Sequence, residues 1–314
     1  MIELIKNSNI NFMGMRKHAF AVTAAMSLLG IIAIIQIARG NANLGVDFTG
    51  GTAVQIKFAR SVPLQEVRVA LEQGGLKDFE VQDLPSENKV LIKTKKQEST
   101  LGETAEAITR ILSTELSATK PLVNSTTEVG PKVGSRLKQE ALWAMTLAAL
   151  GIVVYIAFRF QFRFGIAATL ATIHDVLAVL GILYLLDREM NLIILSALLT
   201  IAGYSLSDTV VVFDRLRENM KASVKEPLES IINRSINEVL SRTIVTGITT
   251  LLSALALFLF GGEVLHDFSL SIILGIVIGT YSSIFVASPL VVLLGEVKRK
   301  ESGKKEQARV KQSV

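Results

Sequence analysis

The chain has 314 residues, half of them hydrophobic, with a formal net charge of +5 and no cysteine. That composition points to an integral membrane protein and excludes disulfides, metal–thiolate sites and thiol chemistry. The positive balance is not a nucleic-acid signature, because Lys and Arg cluster beside apolar runs, where they report topology.

In chain order, a basic segment (1–18) precedes a first apolar run at 19–38. That run is too long for a cleavable signal peptide and lacks a small-residue cleavage site. Further runs occupy 141–158, 164–186, 192–213, 244–260 and 268–294. Each meets or approaches the roughly 20 residues a helical span requires. The run 244–260 is short, and Ser241-Arg242-Thr243 extends it if Arg242 finds a partner or reaches the interface. The expected fold is therefore a polytopic α-helical membrane protein with six spans, five of them gathered in 139–295.

Residues 39–138, between the first two spans, suffice for one small α/β domain. Thr52 to Phe58 alternates and is β-rich. Pro63 to Gln73 reads as a helix, with Ser61 as a candidate cap and Gly74-Gly75 as the stop. Phe79 to Leu84 and Lys89 to Thr94 read as a strand pair around a Pro-Ser-Glu-Asn turn. Gly102 to Ser117 places Ala105, Ile108, Ile111, Leu112 and Leu116 on one helical face. Ser125 to Val129 is a weaker last strand. The order β-α-β-β-α-β is that of a ferredoxin-like fold.

Gly130-Pro131-Lys132-Val133-Gly134 reads as a hinge or an ordinary turn before the second span. The segment 214–241 reads as a loop whose Leu228, Ile231, Ile232, Ile236, Val239 and Leu240 form a helix lying along the membrane surface. The tail 296–314 is basic and polar and is expected to be a disordered, solvated topology anchor, with a contact to anionic lipid or ribosomal RNA as the competing reading.

Lys6, Arg16, Lys17, Arg159, Arg163, Arg215, Arg217, Lys221, Lys225, Arg234 and the tail cations flank one side of the spans. The opposite connections carry Arg188 alone. The positive-inside rule then predicts cytoplasmic termini and an extracytoplasmic 39–138 domain.

Asp208 lies inside an apolar run, where an ionisable residue is read as functional by default. It is about 9 Å along the helix from Asp214, the expected membrane exit. Arg242 enters the fifth span from the same side, so the two groups can share a depth. A buried carboxylate near a guanidinium is the simplest proton-responsive pair, because protonation releases the cation. The competing readings are a satisfied structural ion pair and an Arg242 that snorkels to the headgroups. His174 and Asp175 lie mid-span as a candidate polar relay, or as packing residues with interhelical hydrogen bonds. Gly203, Ser205, Ser207 and Thr209 offer a small, hydroxyl-bearing helix surface. Asp214, Arg215, Arg217 and Glu218 read as an interfacial structural network. No P-loop, His/Cys ligand cluster or G-x-S-x-G motif occurs, so no ATP hydrolysis, metal, cofactor or serine catalysis is indicated. Asp175 and Asp208 match an intramembrane aspartyl protease in number, but neither stands in a Gly-x-Gly-Asp setting.

Gly45-Val46-Asp47-Phe48-Thr49-Gly50-Gly51-Thr52 and the stretch from Gly203 through Asp214-Arg215-Leu216-Arg217-Glu218-Asn219 carry a resemblance. Ile173-His174-Asp175-Val176 and Val129-Gly130-Pro131 fit it too. The chain resembles the SecD/SecF family, and in span count and domain placement its smaller, SecF-type members. One departure is Gln55, where the family often carries an acid. The resemblance implies an RND-type membrane fold and a non-enzymatic, proton-coupled role in the Sec pathway of the bacterial inner membrane. It implies a SecD-like partner, the SecYEG channel, secreted preproteins and membrane lipids as contacts, with YajC and a membrane insertase as further candidates and no nucleic acid. It assigns Asp208 and Arg242 to the family's functional pair, and Gly45, Asp47, Gly50, Gly51, Gly203, Asp214 and Arg215 to its structural motifs. Two other classes fit parts of the pattern. One is a scaffold without proton coupling. The other is half of an RND-type exporter, which would normally carry a second set of six spans in one chain.

Overall fold

The computed structural model describes residues 8–76, 79–84, 88–94, 103–223 and 226–294. The basic tail, Lys6, Lys225, Gly102 and the turn residues 85–87 lie outside the described residues. The chain divides into a helical unit and an α/β unit; the latter comprises Leu44–Ala144 with Glu189–Leu192.

The first span is α1 (Arg16–Ala38), and the α/β unit after it contains α2 (Val46–Thr49), β1 (Gly51–Lys57), α3 (Leu64–Gln73), β2 (Phe79–Leu84), β3 (Lys89–Thr94), α4 (Glu103–Glu115) and β4 (Leu122–Val129). The sheet order is β2-β3-β1-β4, with every neighbouring pair antiparallel. This is the split β-α-β arrangement of the ferredoxin-like fold. Val54, Ile56, Val90 and Ile92 from the central strands meet Val67, Leu71, Ile108 and Leu112 from α3 and α4 in one apolar core. Without disulfides, that burial supplies most of the unit's stability, at about 25 cal/mol per Å² of apolar surface.

Pro63 rather than Ser61 occupies the N-cap of α3, with no side-chain cap. Gly75 stops that helix at φ 83°, a left-handed geometry favouring glycine. β4 is longer than the pattern predicts because it is an edge strand with six consecutive exposed residues, so no buried face marks its sequence. Its pairing with β1 is offset between Gln55 and Ile56. There Asn124 Nδ2 and Ser125 Oγ both donate to the buried Gln55 Oε1. The Gln55 amide is thus satisfied by its neighbouring strand.

The remaining helices are α5 (Pro131–Arg159), α6 (Phe162–Leu185), α7 (Leu192–Ala222), α8 (Leu228–Phe260) and α9 (Gly262–Ser282), the last continued by a π-helical turn at Ser283–Ala287. With α1 these make six helices long and apolar enough to cross a membrane. Two expectations are corrected. The 130–134 stretch is not a turn ahead of the second span: Pro131 is the first residue of α5, where its missing N–H costs nothing. The segment 214–241 is no loop with a separate surface helix. α7 continues to Ala222 and α8 runs unbroken from Leu228 through the apolar run. The apolar positions from Leu228 to Leu240 that resemble a membrane-facing stripe pack into the helical core instead: Ile231, Ile232, Ile236 and Leu240 are buried there with Phe160, Phe164 and Phe213.

α6 is the most buried of the six spans, whereas α1, α5 and α8 keep most of their surface open. Glycines set the closest approaches. A Cβ at Gly30 would lie 2.2 Å from the Leu177 carbonyl oxygen, and one at Gly181 would lie 2.7 Å from the Gly30 nitrogen. Small residues thus let the α1 and α6 backbones touch, the usual device where lipid supplies no hydrophobic drive.

Candidate functional site: a polar cluster among apolar helices

Asp175 is fully buried on α6. Ser205 on α7 donates its hydroxyl to Asp175 Oδ2, and His174 Nδ1 lies 2.9 Å from Oδ1. Neighbouring residues on one helix need not share a site, yet here the imidazole folds onto the adjacent carboxylate. His174 Nε2 is buried without a hydrogen-bond partner among the described residues.

Asp208 stands three residues beyond Ser205, hence on the same face of α7. Its Oδ2 is buried and has no hydrogen-bond partner among the described residues. The side chain faces the hydroxyls of Ser283 and Thr243, with the charges of Asp175 and Arg242 in its electrostatic reach. Thr209, one position on, shares a hydroxyl–hydroxyl bond of 3.1 Å with Ser283. Ser283 opens the π-helical turn, a distortion found often at functional sites. The Thr172 hydroxyl is also buried without a hydrogen-bond partner among the described residues, while the buried hydroxyls of Thr243 and Ser282 face Asp208 and Asp175 without a well-aligned hydrogen bond. An unpartnered buried polar group costs about 1–3 kcal/mol, so a cluster of them in an apolar bundle is an investment that structure alone does not return.

The structure separates the sequence-predicted residues into those it assembles and those it does not. His174, Asp175, Ser205, Asp208 and Thr209 come together. Ser207 and Gly203 are exposed on another face of α7, and a Cβ on Gly203 would meet nothing within 4 Å. Arg242 is exposed, and no ion pair joins it to Asp208 among the described residues. Sequence reasoning missed Ser282, Ser283, Thr243 and Thr172. A tandem Ser-Ser inside the last apolar run was the available signal. Close contact completes the cluster: a Cβ on Gly279 of α9 would lie 3.3 Å from Ser205 Cβ.

Asp214 and Arg215 lie outside this cluster, where α7 passes beyond its apolar run. Asp214 accepts two hydrogen bonds from Arg159 Nη2, at 2.6 and 2.5 Å. Arg215 donates to Glu238 at 2.7 Å and Glu218 at 2.8 Å. Asn219 reaches the same Glu238 at 2.6 Å. Arg16 pairs with Glu229, and Asn233 and Asn237 of α8 accept backbone N–H groups of Met13 and Ile10. No group of three His, Cys, Asp or Glu residues able to hold a metal occurs among the described residues.

Gly45, Asp47, Gly50 and Gly51 belong to the α/β unit and lie apart from the polar cluster in sequence and unit. The Gly45 N–H donates to the Met190 carbonyl at 2.8 Å. Asp47 Oδ2 accepts the Leu192 N–H at 3.1 Å. Gly50 and Gly51 hold φ of 69° and 125°, which disfavour any side chain.

Residues 110–297 match the profile of the protein export membrane protein SecD/SecF C-terminal family, and residues 43–62 match the SecD/SecF GG motif. The chain is 57% identical over 298 residues to a protein translocase subunit SecF of Thermodesulfovibrio yellowstonii, covering 94% of this chain and 98% of that one. It is 40% identical over 303 residues to the SecF of Calditerrivibrio nitroreducens, covering 95% and 99%. Among solved structures it resembles the crystal structure of SecDF, a translocon-associated membrane protein of Thermus thermophilus, with a TM-score of 0.82 and 39% identity. That match covers 92% of this chain and 39% of the longer SecDF chain.

Proposed function

Because the chain belongs to the SecD/SecF family of protein export membrane proteins, we propose that it is an accessory subunit of the bacterial Sec translocase that couples the proton-motive force to late steps of preprotein export. One observation carries the coupling: Asp208 Oδ2 sits buried and unpartnered within an apolar helix, ringed by hydroxyls and a second carboxylate. Such a group gains a partner by accepting a proton or by drawing Arg242 inward. These are two discrete arrangements of the same helices, and a proton gradient biases their balance. Asp175, tied to His174 and Ser205, stays fixed and holds the hydroxyl chain in place.

The partner is a SecD-like subunit. In support, Gly203 and Ser207 on α7 and Arg242 on α8 are uncovered in this chain, although each lies near the polar cluster in sequence. A second set of spans seated there would bury Arg242 and complete the site. SecYEG and secreted preproteins follow as the machinery and cargo, and YajC and an insertase as further contacts. Paired Arg16, Arg159 and Arg215 mark the end of the helical unit that this reading assigns to the cytoplasm, with the α/β unit on the outer side.

The test is complementation. In cells depleted of this chain, Asp208→Asn should reach normal abundance and co-purify with the SecD-like subunit, yet fail to restore export. Restored export at normal abundance would leave only a scaffolding role.

A further inference from the structure

The connection between α6 and α7 is held in an unexpected way. Glu189–Leu192 groups with the α/β unit, whereas Arg188 just before it belongs to the helical unit and pairs with Asp267 at 3.2 Å. Within the α/β unit this four-residue turn is held at Glu189, Met190 and Leu192. Lys93 of β3 pairs with Glu189 at 2.7 Å, both side chains largely buried. Leu44 forms a parallel bridge with Met190, and the Gly45 N–H donates to the Met190 carbonyl at 2.8 Å. Asp47 Oδ2 accepts the N–H of Leu192.

Leu192 is the first residue of α7. The Asp47 carboxylate therefore satisfies one of the orphan N–H groups of that helix and sits at the positive end of its dipole. The glycines explain themselves in this setting. A Cβ on Gly45 would lie 2.7 Å from Glu189 Oε1 and 3.1 Å from Asn191 Cβ. A Cβ on Gly134, in the first turn of α5, would lie 2.8 Å from the Gly50 nitrogen. One short segment thus seats the starts of two long helices.

We propose that residues 44–51 together with Lys93 form a permanent clamp on the Glu189–Leu192 turn, with Asp47 as the cap that fixes Leu192, the first residue of α7, on the α/β domain. Asp47 and Lys93 are positioning residues in this scheme, and the glycine motif is the socket they act through.

The test uses the full-length chain in its native membrane complex and two readouts. Hydrogen exchange at residues 192–195 reads the clamp directly. Asp47→Ala should speed it by about fivefold, the scale of a lost helix cap, and leave β1 and β3 unchanged. Asp47→Asn, which keeps an acceptor, should restore most of the protection. Exchange unaltered by Asp47→Ala overturns the clamp. The second readout is a lock: Leu44→Cys with Met190→Cys in a chain that has no other cysteine. Bridged neighbours lie about 5 Å apart, within disulfide range. The oxidised lock should export as well as its reduced form. Export lost on oxidation and regained on reduction would mean that the turn must leave the domain, and the permanent clamp would be wrong. Asp208→Asn separates the two ideas, since it should abolish export while leaving exchange at 192–195 untouched.

Discussion

The Ser205 hydroxyl on α7 donates to Asp175 on α6, one helical turn from Asp208. That bond joins a fully buried carboxylate to the helix that carries the second acid. Ser205→Ala would leave Asp175 Oδ2 short of its donor, at a cost of about 1–3 kcal/mol. Thermal unfolding of the purified complex in detergent should fall for Ser205→Ala and recover for Ser205→Thr. An unchanged midpoint for the alanine variant would show that the bond does not hold the helices.

The glycine contact between α1 and α6 makes a second prediction. With 2.2 Å between an added Cβ at Gly30 and a backbone oxygen, neither flexible side chains nor rotamers relieve the clash. Gly30→Val should lower the amount of folded protein in the membrane. Gly151→Ala is the control, because nothing lies within 4 Å of its added Cβ. Equal abundance of both variants, measured by quantitative blotting, would contradict the packing.

The α/β domain should fold alone. Residues 40–137 contain the whole core of Val54, Ile56, Leu71, Val90, Ile92, Ile108 and Leu112. Circular dichroism should give a mixed α/β spectrum and one cooperative melt, with Ile92→Ala destabilising by about 2–5 kcal/mol. A random-coil spectrum would sink the independent-domain claim.

These expectations show where sequence reasoning holds and where it stops. Alternation in Val54-Gln55-Ile56 and the helical face of Ile108 and Leu112 revealed the domain, because burial writes periodicity into sequence. β4 was half seen, since an edge strand exposed on both faces writes none. Asp208 and Asp175 were legible through the cost of a carboxylate in an apolar run. Their neighbours Ser283 and Thr243 were not, because a hydroxyl in such a run is cheap and common. Leu228 to Leu240 misled: a stripe that packs against Phe213 has the same spacing as one that lies on a membrane. The Lys93–Glu189 pair joins residues 96 positions apart, and single-sequence periodicity is blind to that.

Arg242 is exposed and unpaired with Asp208 in this chain, so its role depends on what covers it. Arg242→Met should leave complex abundance normal but remove gradient-dependent export, while Arg242→Lys keeps the charge and should retain part of it. Full activity of Arg242→Met, measured with abundance in parallel, would reduce Arg242 to a snorkelling residue.

The central claim is that Asp208 passes its protonation state to the export machinery. Its most direct test reconstitutes the chain with its SecD-like partner and the translocation channel in vesicles. Translocation of a secreted protein is then followed with the proton gradient imposed and collapsed. The wild-type complex should respond to the gradient, whereas Asp208→Asn, which keeps shape and hydrogen-bonding capacity but not the titrating proton, should translocate at the collapsed-gradient rate under both conditions. A full gradient response from Asp208→Asn at equal complex abundance would contradict the account.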